Sequence, residues 1–97
     1  MAQLNEGKKV MYCVNIKYYG IVQGIGFRAH IKRKAMDYSL TGWVKNLPDG
    51  SVEAIFCGDE RSIGIVINYS LRIPGSRIER YEKKAIAECD FYDFVIR

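Results

Sequence analysis

The spacing of apolar residues switches twice between a period of two and a helical period, and this switching restricts the fold more than any other feature. From Tyr12 to Tyr19 the side chains alternate, with Val14, Ile16 and Tyr18 on one side and Cys13, Asn15, Lys17 and Tyr19 on the other. That is the signature of a strand with one buried face. A glycine-rich segment, Gly20 to Gly26, follows; then Phe27, Ile31, Ala35 and Tyr38 recur at intervals of four, four and three, one stripe of an amphipathic helix. Strand character returns over Leu40–Leu47 and Ser51–Cys57. Between them Leu47-Pro48-Asp49-Gly50 is a turn, with proline presetting φ and glycine accepting positive φ, so the two runs read as a hairpin. Asp59 is placed to N-cap a second helix whose stripe is Ile63, Val66, Ile67 and Leu71, broken by Pro74-Gly75. Ser76–Ala87 reads as a strand anchored by Ile78, and Phe91–Ile96 as a short last one.

The order β-α-β-β-α-β predicts an α+β sandwich in which both helices cover one face of an antiparallel sheet. Ninety-seven residues hold one core, placed at 11–97 behind a polar tail over 1–10. Hydrophobic residues at 48% and charged residues at 27% exclude a disordered chain. No run approaches the roughly 20 apolar residues of a membrane span, and MAQLNEGKKV lacks the apolar core of a signal peptide. A cytoplasmic protein with no membrane partner is expected. Cys13, Cys57 and Cys89, odd in number and scattered, agree with that and read as small buried hydrophobes rather than a disulfide framework. The net charge of +4 favours anionic ligands. Its densest basic run, Lys32-Arg33-Lys34, reads as a solvated helix face.

The chemistry is concentrated in Gly20-Ile21-Val22-Gln23-Gly24-Ile25-Gly26-Phe27-Arg28, which follows a strand and opens a helix. Successive N–H groups in such a loop can converge on one point, and glycine admits a ligand without a Cβ in the way. The helix N-terminus adds unpaired donors and the positive end of its dipole. The planar fork of Arg28 matches two phosphate oxygens and stays charged at any working pH. A P-loop would end in Gly-Lys-Ser/Thr, and a dinucleotide fingerprint would carry a third glycine where Ala29 stands. Neither pattern fits. On these residues alone an anion cradle and a plain glycine turn both remain open.

The run GIVQGIGFR resembles the signature of the acylphosphatase family, Gly-x-Val-Gln-Gly-Val-x-Phe-Arg, with Ile25 in place of the usual valine. A second block, Gly42-Trp43-Val44-Lys45-Asn46-Leu47-Pro48-Asp49-Gly50-Ser51-Val52-Glu53, is similar to the family's other hallmark, and the likeness spans about 12 to 96. The resemblance implies a ferredoxin-like sandwich that hydrolyses acyl phosphates to a carboxylate and inorganic phosphate, with no metal and no cofactor. It implies that Arg28 binds phosphate, that Asn46 orients the water, and that the amides of Val22, Gln23, Gly24, Ile25, Gly26 and Phe27 form the cradle. Two departures stand out: Ser39 where the family has glycine, and Ile73-Pro74 where it has Gly-Pro. If position 39 is left-handed, serine there costs about 1 kcal/mol.

Other residues weigh less. His30, about 200° round the helix from Arg28, should point away from the loop, and Trp43 should pack rather than bind. The carboxylates Asp49, Glu53 and Asp59 lack metal-ligand spacing. An RNA-binding sheet with Tyr19 on its open face is the second reading, but no aromatic-rich run occupies the third strand. A domain like the one that opens hydrogenase-maturation carbamoyltransferases is the third; with no zinc-finger cysteines after Arg97, a stand-alone enzyme is favoured. The expected partner is a small-molecule acyl phosphate, not nucleic acid, and the expected state a monomer.

Overall fold

The computed structural model describes residues 11–87 and 90–97; the tail expected over 1–10 and Cys89 lie outside the described residues. The elements are β1 (Tyr12–Ile21), α1 (Phe27–Asp37), β2 (Thr41–Asn46), β3 (Val52–Gly58), α2 (Glu60–Ser70), β4 (Arg77–Ile86) and β5 (Phe94–Ile96). They form one five-stranded sheet in the order β4-β1-β3-β2-β5. It is antiparallel except at one edge, where β5 runs parallel to β2. Among the described residues no helix is long and apolar enough to cross a membrane.

The alternation sorts the sheet as expected. Ile16 and Tyr18 of β1, Val44 of β2, and Val52, Ala54 and Phe56 of β3 are buried beneath Phe27, Ile31 and Ala35 of α1 and Ile63, Val66 and Ile67 of α2. Each Val, Ile or Phe side chain among them removed from water contributes roughly 1.5–3 kcal/mol. Two stripe positions fall outside this core. Tyr38 and Leu71 are the C-cap residues of their helices; Tyr38 is exposed and Leu71 half-buried. The phenol of Tyr18 donates to Ser70 Oγ at 2.7 Å, and that hydroxyl to the Ile67 carbonyl at 2.6 Å, fixing the end of α2 over β1. Burial pushes this phenol's pKa up.

Both helix caps follow from sequence. Asp59 accepts from the Ser62 amide at 3.0 Å at the start of α2. At the end of α1, Ser39 N–H donates to Met36 O and Leu40 N–H to Ala35 O, a Schellman closure with Ser39 at φ +57°. Position 39 is therefore left-handed, and serine fills it at the cost a side chain brings there.

The cysteines require a correction. Cys13 and Cys57 are buried, but they face each other across the β1–β3 ladder and are joined as a disulfide. Their sequence separation of 44 hides a pairing that strand register makes direct. The disulfide removes the cysteine leg of the argument for a reducing compartment.

Candidate active site

Three pieces of chain meet at one end of the sheet. The first is the turn from β1 into α1. Gly24 and Gly26 stand at φ +80° and +79°, with Gly26 serving as the left-handed N-cap of α1. A Cβ at Gly24 would meet nothing within 4 Å, so it is the positive φ, not crowding, that calls for glycine. Val22 and Phe27, both buried, pin the two ends of the turn; the Phe27 ring meets Tyr18 edge-on at 5.1 Å between centroids. Below the turn, Gly20 (φ +133°) lies where β1 bulges, and a Cβ there would come within 2.0 Å of the Arg77 carbonyl oxygen.

The second piece is the β2–β3 hairpin. Asn46 is the last residue of β2 and is exposed. The turn beyond it closes through Gly50 N–H to Leu47 O at 3.1 Å and Leu47 N–H to Ser51 O at 2.8 Å. Asp49 accepts from the Ser51 amide at 3.0 Å and from its hydroxyl at 2.5 Å. The Ser51 hydroxyl, then its amide, hold the Asp49 carboxyl below the usual aspartate value.

The third piece is the end of the chain, where Arg97 N–H donates to Val44 O at 2.9 Å and extends the β5–β2 pairing. Arg28 Nη1 donates to the Arg97 main-chain oxygen at 3.4 Å. The Arg97 guanidinium lies over Trp43 on the open face, 5.2 Å from the ring centroid, with Lys45 Nζ at 4.9 Å from that same ring. Trp43 is packing, as expected.

Together these pieces enclose a cleft of about 170 Å³ lined by Val22, Gly24, Gly26, Phe27, Arg28, Ala29, Asn46 and Ile96. With a water occupying about 30 Å³, it has room for a tetrahedral oxyanion and an adjacent water. Arg28 and Asn46, 18 positions apart in sequence, thus share one cavity. Two expected cradle residues do not line it. Ile25 packs against the core, and the Gln23 side chain turns to the hairpin, donating through Nε2 to Leu47 O and Ser51 O at 2.9 Å each. The proximity of Ile96 and Arg97 had no sequence signal. His30 is hydrogen-bonded through Nδ1 to the Tyr69 hydroxyl at 3.2 Å and is engaged with α2.

Sheet, helices and cleft define a ferredoxin-like α+β sandwich with a glycine-hinged loop and an arginine at the mouth of its first helix. Residues 14–96 match the family model described as Acylphosphatase. An acylphosphatase of Thermoplasma volcanium is 41% identical over 83 residues, 84% of this chain and 92% of the relative. A solved acylphosphatase structure from Coxiella burnetii superposes with a TM-score of 0.87 at 34% identity, covering 100% of each chain. Full-length HypF, solved with phosphate and nucleotide bound, contains a similar region (TM-score 0.81, 26% identity), but this chain covers only 12% of it. The chain belongs to the acylphosphatase family.

Proposed function

We propose that this acylphosphatase binds the phosphoryl group of an acyl phosphate in the cleft between the Val22–Phe27 turn and Arg28, and that Asn46 orients the water that attacks it. The observation that carries the reading is the sharing of one cleft of about 170 Å³ by a helix N-terminus, an arginine and an amide side chain. The left-handed glycines turn the main chain so that its N–H groups, with the dipole of α1, can face a dianion. Arg28 supplies the formal positive charge, and its contact with the Arg97 oxygen supports its orientation.

The acyl part of the substrate leaves as a carboxylate when the bond from phosphorus to its oxygen breaks, so no acid is needed at the leaving oxygen. The barrier falls by placing water in line with phosphorus and by stabilising the equatorial oxygens. Asn46 can accept from that water through Oδ1 and donate through Nδ2. The water's proton passes to a phosphoryl oxygen of the substrate, since no general base lines the cleft among the described residues. The substrate is a small molecule. Tyr19, the aromatic that an RNA-binding sheet would offer, is already covered by the Arg80 guanidinium at 3.8 Å, which favours the enzyme reading. Hydrolysis of benzoyl phosphate by wild type beside Arg28→Ala and Asn46→Ala, with inorganic phosphate as competitive inhibitor, tests the assignment. Full turnover in Asn46→Ala would remove the water-orienting role.

A further inference from the structure

We propose that the cleft between α2 and β4 binds a small apolar monocarboxylate, at a site separate from the active-site cleft. Strand β4 lies at the edge of the sheet beyond β1, and the helix layer leaves it exposed from Glu79 to Ala85. The space between α2 and β4 measures about 370 Å³, the size of a small-molecule pocket. Its floor is aliphatic, made by Val14, Ile63, Ile67 and Leu71. Ile63 and Ile67 are buried, and Val14 and Leu71 are half-buried.

A glycine that the helix does not need keeps this floor open. Gly64 stands inside α2 in an ordinary helical conformation, not at positive φ. A Cβ there would meet nothing within 4 Å, so no neighbour requires its absence. Glycine is the poorest helix former after proline and weakens α2 with no compensating gain in backbone or packing. What it supplies is depth. Gly64 lines the cleft, and a side chain at this position would occupy it.

The polar rim favours an anion. Tyr81 and Lys83 pair with Tyr18 and Ile16, so they share the helix face of β4, two positions and about 7 Å apart. With Asn68 of α2 they offer a phenol, an ammonium and an amide as donors. None of these three side chains has a hydrogen bond or ion pair among the described residues. The acidic group at the rim, Glu60, is the first residue of α2, and eight residues of helical rise set it about 12 Å along the axis from Asn68. Three unpartnered donors over an aliphatic floor suit a carboxylate head on an apolar body. The acid released from an acyl phosphate with an apolar acyl group belongs to this class.

Titration of the full chain with octanoate, followed by 1H–15N NMR, tests the site; octanol and octylammonium keep the body and change the head. The largest octanoate shifts should fall at the amides of Gly64, Ile67, Tyr81 and Lys83. Kd should be about 1 mM, the scale for a ligand of this size, and octylammonium should bind at least about tenfold more weakly. Gly64→Leu fills the cleft with a better helix former, and it should weaken octanoate and octanol alike by about tenfold or more. Lys83→Met keeps an apolar stem without the charge, so it should weaken octanoate about tenfold and leave octanol unchanged. Neither residue lines the active-site cleft, and benzoyl phosphate turnover at the wild-type rate reports that each variant is folded. No shifts at about 10 mM octanoate, tenfold above the expected Kd, shifts centred outside α2 and β4, or wild-type binding by Gly64→Leu would overturn the site. Octylammonium as tight as octanoate, or Lys83→Met without effect on octanoate, would overturn the carboxylate.

Discussion

The side-chain amide of Gln23 donates to the main-chain oxygen of Leu47, the residue directly after Asn46, over 2.9 Å. Its second bond, to Ser51 O, grips the other side of the hairpin mouth. Gln23 thereby ties the Val22–Phe27 turn to the strand end that carries Asn46, and the gap between those parts depends on it. Gln23→Ala should lower kcat between about tenfold and a hundredfold, the scale of a misplacement near 1 Å. The inhibition constant of inorganic phosphate should move far less, because the turn and Arg28 remain. Steady-state kinetics with phosphate as inhibitor would register this split; an equal loss in both would mean that Gln23 serves only the turn.

Arg28 and Asn46 should separate in the opposite sense. Arg28→Ala should abolish phosphate inhibition and activity while leaving the unfolding midpoint near wild type, since Arg28 is half-buried and outside the core. Asn46→Ala should lower kcat at least about a hundredfold with phosphate inhibition nearly intact. Phosphate titrations followed by 31P NMR would measure the binding half without turnover.

Ser39 offers a test of stability alone. It holds φ +57° at the end of α1, far from the cleft, where glycine carries no side-chain penalty. Ser39→Gly should add up to about 1 kcal/mol, because relief of the left-handed strain outweighs glycine's extra freedom when unfolded. For a domain of this size that raises Tm by about 4–8 °C. Calorimetry reads it directly, and kcat should not change.

Acid should loosen the β2–β3 hairpin through Asp49. Bonds from Ser51 hold its folded pKa below the reference 3.8. The stabilisation is therefore fully present above the unfolded value and disappears as pH falls through the lower folded one. Asp49→Asn should remove this part of the acid dependence, so urea midpoints for the variant should vary less below about pH 4 than those of wild type. A curve parallel to wild type would exclude Asp49 as the titrating group.

What could be read from sequence was whatever is periodic or local. Val14, Ile16 and Tyr18 announced β1; Phe27, Ile31 and Ala35 announced the buried face of α1; Asp59 announced its cap. The glycine turn with Arg28, and the hairpin with Asn46, were legible because each is a contiguous motif whose residue types have a physical reason. Register and direction were not. Cys13 meets Cys57 only because β1 and β3 align residue by residue. β5 runs parallel to β2, bringing Ile96 and Arg97 to the cleft, and a three-residue strand carries no pattern that states its direction. The side-chain bonds of Gln23 to the hairpin were not legible either, because spacing does not encode where a loop side chain turns.

The Cys13–Cys57 cross-link has one more consequence. Both the Val22–Phe27 turn and Asn46 lie in the chain between its two ends, and the exposed hairpin tip Pro48-Asp49-Gly50 lies there too. A protease that severs this tip produces two fragments, one carrying Cys13 with the turn, Arg28 and Asn46, the other carrying Cys57 with β3. They stay fastened to each other by sulfur, so a broken backbone still leaves a single molecule.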